Sequence, residues 1–240
     1  MKQAILDALL AARAAKRPVA TVTHLESGAQ ALVYRPNDSD GDTSGGEVGD
    51  LALDEAAIAS ARRAIADDKS VRIDSDAGTL FIQVSNPPKR MIIVGAVHIA
   101  QPLVEISKTA GYALTIVDPR GAFATRDRFP EVELSEDWPD DALKALNIDT
   151  RTAVVTLTHD PKLDDPALHV ALRSEAFYIG SLGSKKTHGG RVERLTQAGY
   201  SETEIARIHA PIGLYIGGKS PAEIAISIMA QVTEVLHQQG

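Results

Sequence analysis

The chain has 240 residues, a formal net charge of −7, 44% hydrophobic and 24% charged residues, and no cysteine. That balance suits an ordinary globular protein of one large or two modest domains. The missing cysteine excludes disulfides, thiolate metal sites, persulfides and thiol nucleophiles, and the acidic surplus argues against a nucleic-acid partner.

Residues 2–17 carry Ile5, Leu6, Leu9 and Leu10 as one stripe at helical spacing, and Pro18 ends the helix. Asp7 and Arg13 interrupt this stretch, so it does not read as a signal peptide. No run approaches the roughly 20 apolar residues that span a bilayer, so a cytoplasmic protein without membrane contact is expected. Segments 19–26 and 30–35 read as strands joined by a Ser27-Gly28 turn. The stretch 36–50 is loop, rich in Gly, Asp and Ser. Its Asp38, Asp40, Asp42, Glu47 and Asp50 are expected to face solvent or a basic partner. A surface helix over 51–68 follows, then strands 71–74 and 79–85 as a hairpin around Asp76-Ala77-Gly78.

Asn86-Pro87-Pro88 is a stiff connector and the expected domain boundary. Beyond it the pattern alternates. Strands at 90–95, 113–118, 152–158 and 177–180 are interleaved with helices at 98–110, 164–175, 184–198, 201–208 and 220–238. Such alternation implies crossover units and a parallel sheet. The expected fold is therefore α/β, a Rossmann-type domain over 87–240 preceded by a smaller α+β domain over 1–86. Ile224, Ile228, Val232 and Leu236 stand at successive i+4 steps on the last helix, and a homodimer through that stripe is expected.

Four strand-end segments carry the candidate chemistry. Gly95-Ala96-Val97-His98-Ile99-Ala100 lies where a dinucleotide fingerprint belongs: Gly95 makes the tight turn and Ala100 stands for the third glycine, while Val97 replaces the second. Asp118 ends the next strand, 23 positions after Gly95, where a carboxylate can accept from ribose hydroxyls; Arg120 can pair with a phosphate. His159 and Asp160 end another strand, with His159 an acid–base group, a ligand contact or a loop-orienting hydrogen-bonder. In 180–187, Gly180 and Gly183 let backbone N–H groups converge, Ser184 caps a helix, and Lys185 and Lys186 add positive charge, so the helix start favours an anion. Ser220, Pro221 and Glu223 form a helix start. The histidines show no metal-ligand spacing, and no metal site is expected.

The stretches VGAVHIAQPL (94–103), TIVDPRGAFATRDRFP (115–130), TLTHDPKLDDPAL (156–168), YIGSLGSKKT (178–187) and PIGLYIGGKSPAEIAISIMAQV (211–232) occur in the order of the xanthine dehydrogenase accessory family, XdhC/CoxI, which the chain resembles. The Ser44-Gly45-Gly46-Glu47 loop fits the smaller domain of that family. The chain departs from the family at Val97, where a glycine is usual, and at Glu47, often a cysteine. The resemblance implies a non-enzymatic accessory protein that binds and protects the molybdenum cofactor, as molybdopterin or its cytosine dinucleotide form. Such a protein delivers it to a molybdenum hydroxylase of the xanthine or carbon monoxide dehydrogenase type, with a cysteine desulfurase as the sulfur-donating partner. The implied cofactor-binding set is Gly95, Val97, His98, Asp118, Arg120, His159, Asp160, Gly180, Gly183, Ser184 and Lys185. Two other classes compete: an NAD(P)-dependent oxidoreductase with His159 as acid–base group and Asp118 selecting NAD, and a nucleotide-sensing Rossmann module.

Overall fold

The computed structural model describes residues 2–35, 48–75 and 78–238. The Ser44-Gly45-Gly46-Glu47 loop, most of the acidic segment around it, and the Asp76-Ala77 turn lie outside the described residues. The chain divides into two compact units, one up to Pro87 and one from Pro88.

In the first unit, α1 (Gln3–Ala14), β1 (Val19–His24), β2 (Gln30–Tyr34), β3 (Val48–Gly49), α2 (Glu55–Ala66), β4 (Val71–Ser75) and β5 (Gly78–Ser85) follow in chain order. The five strands form an antiparallel sheet in the order β3-β2-β1-β5-β4. Alternate residues of one strand serve opposite faces. Ala20, Val22 and Val33 pack with Ala57, Ala61, Ala64 and Ile65 of α2, whereas Val19, Leu32 and Tyr34 pack with Ile5, Leu9 and Ala12 of α1. Both faces are therefore covered, which is why four consecutive residues of β2, Ala31 to Tyr34, are buried.

The second unit contains β6 (Lys89–Val94), α3 (Ala100–Thr109), β7 (Tyr112–Val117), β8 (Glu133–Ser135), α4 (Pro139–Ala145), β9 (Thr152–Thr156), α5 (Pro161–Leu172), β10 (Tyr178–Ser181), α6 (Lys185–Gln197), α7 (Glu202–Ile205), β11 (Ile208–His209) and α8 (Pro221–Gln238). All six strands are parallel, in the order β11-β10-β9-β6-β7-β8. Met91 and Ile93 of β6 face a core shared with α3 and α8; Ile92 and Val94 face one shared with α4, α5 and α6. The result is an α/β chain with a Rossmann-like sheet sandwiched between helices and a separate antiparallel region before it.

Several element bounds differ from the sequence reading, each for a local reason. The helix expected at 164 begins at Pro161, because Asp160 accepts from the Lys162 amide and Pro161 fills the first helical position, where no N–H is needed. The helix expected over 201–208 is one turn long, closed by a Ser201–Glu204 capping box, and Ile208–His209 pairs with β10 instead. β8 and β11 are edge strands of three and two residues, too short to show periodicity. The stripe on α8 is consumed within the unit: Ile228 and Val232 are fully buried, and Ile224 and Leu236 pack on the same core.

Candidate functional site

Parallel strands present all their C-terminal ends at one edge. The chain leaves β6 toward β7 and β8 and then returns to β9 on the other side of β6. The β6/β9 boundary is thus the topological switch point, where open α/β sheets form their ligand crevice. The segments singled out in the sequence line this edge in the spatial order 182–187, 157–160, 95–99 and 118–120.

The β6–α3 turn is shaped by Gly95, whose φ of +106° favours glycine and where a Cβ would meet the Thr158 methyl at 2.5 Å. Gly95 therefore brings the turn against the β9 loop. Ala100 is fully buried, so the helix packs close to the sheet. Val97 is half-buried and packs on the core, while His98 is exposed. Ala96 is pinned on both sides. Its amide donates to Asp118 Oδ2 at 2.8 Å, and its carbonyl accepts from Arg128 NH1 at 2.8 Å.

Asp118 is fully buried. Its oxygens accept four hydrogen bonds: from the Ala96 amide, the Arg120 amide (3.0 Å), Arg120 Nε (2.9 Å) and Arg120 NH2 (2.8 Å). Burial alone would raise this carboxyl, but the hydrogen bonds of Arg120 and Ala96 outweigh it and hold it below the ordinary carboxylate range. A carboxylate so occupied is not offered to a ribose. Arg120 lies over the Phe123 ring, its guanidinium held charged first by Asp118 and further by Asp160 and Asp164 across the crevice.

In the β9–α5 loop, His159 is exposed with φ +62°, and Asp160 is committed to capping α5. Thr158 turns inward, where its Oγ1 (2.6 Å) and amide (3.3 Å) both donate to Asp164 Oδ1. In the β10–α6 turn, Gly180 lies within the strand and not in the turn; a Cβ there would meet Ile212 at 2.5 Å, so close packing explains it. Gly183 has φ +145°, and Ser184 caps α6 by accepting from the Thr187 amide at 3.1 Å. Lys185 and Lys186 are exposed at the helix start. This segment has the donor chemistry of an anion site: a helix N-terminus with two cations beside it.

Three residues escape the sequence reading. Arg128 reaches the first turn from a loop 32 positions away, with no spacing to announce it. Asp164 and Arg191 are 1% and 2% exposed and face each other at 3.8 Å. Their signal was present: Asp164 sits among Leu163, Ala167, Leu168 and Ala171 on the apolar stripe of α5, and Arg191 lies one turn before the buried Leu195. A separate groove of about 710 Å³ opens between α4 and α5, lined by Leu143, Ile148, Pro166, His169 and Arg173; it holds none of the strand-end residues.

Comparison with known proteins agrees with this geometry. The chain is 32% identical over 154 residues to the molybdenum cofactor insertion chaperone PaoD of Escherichia coli, covering 64% of this chain and 42% of that protein. It is 29% identical over 156 residues to a probable xanthine dehydrogenase subunit of Bacillus subtilis, covering 65% and 45%. The chain thus spans less than half the length of these curated relatives. A crystal structure described as a xanthine dehydrogenase from Bacillus halodurans superposes with a TM-score of 0.73 at 26% identity, over 98% of this chain and 67% of that one. The model of the XdhC Rossmann domain matches residues 91–232, more than half of the chain, and the chain belongs to the XdhC family.

Proposed function

We propose that this chain is a molybdenum-cofactor insertion chaperone, a carrier and not an enzyme, that holds the cofactor as cargo at the C-terminal edge of the parallel sheet. The observation that carries the reading is the gathering of the β6–α3 and β10–α6 turns at the switch point of an XdhC domain. The PaoD relative, whose name states this activity, supports it. The cargo carries an anionic phosphate group, and the residues fit it: the start of α6 offers amide donors with Lys185 and Lys186 beside it. Gly95, Val97 and His98 would form one wall, His159 and Asp160 the middle, and Gly183, Ser184 and Lys185 the other wall. Asp118 and Arg120 hold the frame. The filled acceptor positions of Asp118 favour this reading over an NAD(P)-dependent oxidoreductase.

The client is proposed to be a molybdenum hydroxylase, consistent with the naming of the Bacillus subtilis relative. These 240 residues contain no cysteine, so no persulfide forms on them, and sulfuration falls to a separate cysteine desulfurase partner. The homodimer expected through the α8 stripe would have only the partly exposed Ile224 and Leu236 to offer, since Ile228 and Val232 are spent on the core of their own unit. The test is to denature the purified protein and identify what it releases. A phosphorylated pterin, seen by fluorescence and mass, is expected, and its mass also separates the molybdopterin form from the cytosine dinucleotide. A released nicotinamide nucleotide would replace this reading with the oxidoreductase.

A further inference from the structure

Beneath the β10–α6 turn lies a charged pair whose bonding is half made. Arg191 NH2 donates to the Leu182 carbonyl at 3.2 Å. Its Nε and NH1 are buried and have no hydrogen-bond partner among the described residues. Asp164 presents Oδ1 to Thr158, but its Oδ2 is likewise buried and unpartnered, 3.8 Å from Arg191 NH2 and beyond hydrogen-bond reach. Buried guanidinium donors left unpaired forfeit their hydration without return, so such a site is normally completed by an acceptor. Leu182 immediately precedes Gly183 and the Ser184 cap, so this guanidinium lies against the backbone that opens the 13-residue helix α6. Burial works against the charged form on both sides, raising the Asp164 carboxyl and lowering Arg191, which marks the pair as incompletely compensated.

We propose that Arg191 is an oxyanion receptor at the start of α6, taking a phosphate-type group of the ligand along one edge of its guanidinium, an unpaired nitrogen (Nε or NH1) together with the NH2 hydrogen that Leu182 does not use, with Asp164 as the internal carboxylate that group competes against. The forked, planar guanidinium matches a phosphate by two parallel N–H···O bonds, which a lysine cannot do. The helix N-terminus adds its amides to the same anion. The proposal deepens the cargo reading by naming the side chain that receives the phosphate, and it extends to any ligand of that chemistry.

The experiment titrates the full chain with inorganic phosphate and with pyrophosphate, read by calorimetry. Tighter binding of the first assigns a monoester group, and of the second a diphosphate. Arg191→Gln is expected to weaken binding about 10- to 100-fold, with Arg191→Lys between it and the parent. Asp164→Asn keeps the acceptor for Thr158 and removes the competing charge, so binding of the same anion should tighten, by roughly 3- to 10-fold. That opposite sign keeps the test decisive even where Arg191 variants fold poorly. No binding of either anion by the parent, unchanged binding in a folded Arg191→Gln protein, or unchanged or weakened binding in Asp164→Asn would overturn the receptor. The probes contain no pterin, so the two readings fail separately. Anion binding that depends on Arg191, without pterin in the purified protein, removes the cargo reading alone; pterin recovered with Arg191→Gln at full anion affinity removes the receptor alone.

Discussion

Two aspartate–arginine pairs sit at the same edge of the same sheet, and they are built in opposite ways. Asp118 and Arg120 are two residues apart in the chain, meet at 2.8 Å, and fill every acceptor position of the buried carboxylate. Asp164 and Arg191 come from different helices, stand at 3.8 Å, and leave a carboxylate oxygen and two guanidinium nitrogens without partners. The carboxyl of the first is held below its ordinary range by its hydrogen bonds; that of the second is raised by burial. A satisfied pair fixes its turn and has nothing further to give. An unsatisfied pair keeps capacity for a ligand. One edge can thus be rigid at the β6–α3 turn and receptive at the β10–α6 turn.

The largest expected effect comes from breaking the satisfied pair. Asp118→Ala strands the Ala96 amide, which is buried, and releases Arg120 from the frame of the first turn. The expected loss is about 2–4 kcal/mol of unfolding free energy, below the cost of breaking a fully buried pair because Arg120 can rehydrate. Urea denaturation measures it. A loss under about 0.5 kcal/mol would mean that the four hydrogen bonds do not hold the turn, and the contrast between the pairs would collapse.

That contrast also marks what the sequence discloses. Gly95 and Ser184 are legible because their roles are local, a tight turn and a helix cap that depend on neighbours within a few positions, whereas Asp118 is legible only as a strand end and its pairing with Arg120 and the Ala96 amide is not. The parallel sheet was legible from the alternation of strands and helices. Gly180, expected with Gly183 to let amides converge, is demanded instead by packing against Ile212, and in a sequence a glycine demanded by packing looks the same as one demanded by φ. Arg128, Asp164 and Arg191 act across 27 to 32 positions or pair between helices, and such contacts leave no spacing rule. Only the charged residue on an apolar stripe betrays them. β8 and β11 were invisible for another reason: edge strands of three and two residues gain their conformation from the neighbour they pair with.

A smaller effect sharpens the receptive side. Gly183→Val places a side chain where a Cβ would lie 3.1 Å from Thr187 and forces φ +145° on a β-branched residue. Strain of about 1–3 kcal/mol is expected, leaving the fold intact, while pterin cargo retention should fall about 10-fold or more because close backbone approach is lost. The quantity of pterin co-purifying per folded chain reads this. Full retention in a folded Gly183→Val protein would move the cargo's phosphate away from the α6 turn.

The smallest effect belongs to a third carboxylate, bonded through one oxygen only and exposed. Glu223 accepts at Oε2 from the Ser220 amide (2.9 Å), the Lys219 amide (3.0 Å) and the Ser220 hydroxyl (2.9 Å), while Ser220 Oγ accepts from the Glu223 amide (3.3 Å). This is the capping box of α8. The backbone donors of Ser220 and then Lys219 lower its carboxyl from an ordinary 4.5 to about 2. A carboxyl depressed in the folded state contributes stability that is fully present above its unfolded value and is lost as pH falls through the folded one. The window is therefore about pH 4.5 down to about 2. Over it, the protection of the Lys219 and Ser220 amides, taken as exchange relative to the intrinsic rate at each pH, should fall while β6 stays protected, because water replaces a solvent-exposed hydrogen bond at little cost to the whole. Glu223→Gln preserves the shape of the box without the charge, so it should remove this pH dependence and leave the helix start in place. The same acid-induced fraying in the glutamine variant would show that exposed charge at this cap does no more than the neutral hydrogen bond it resembles.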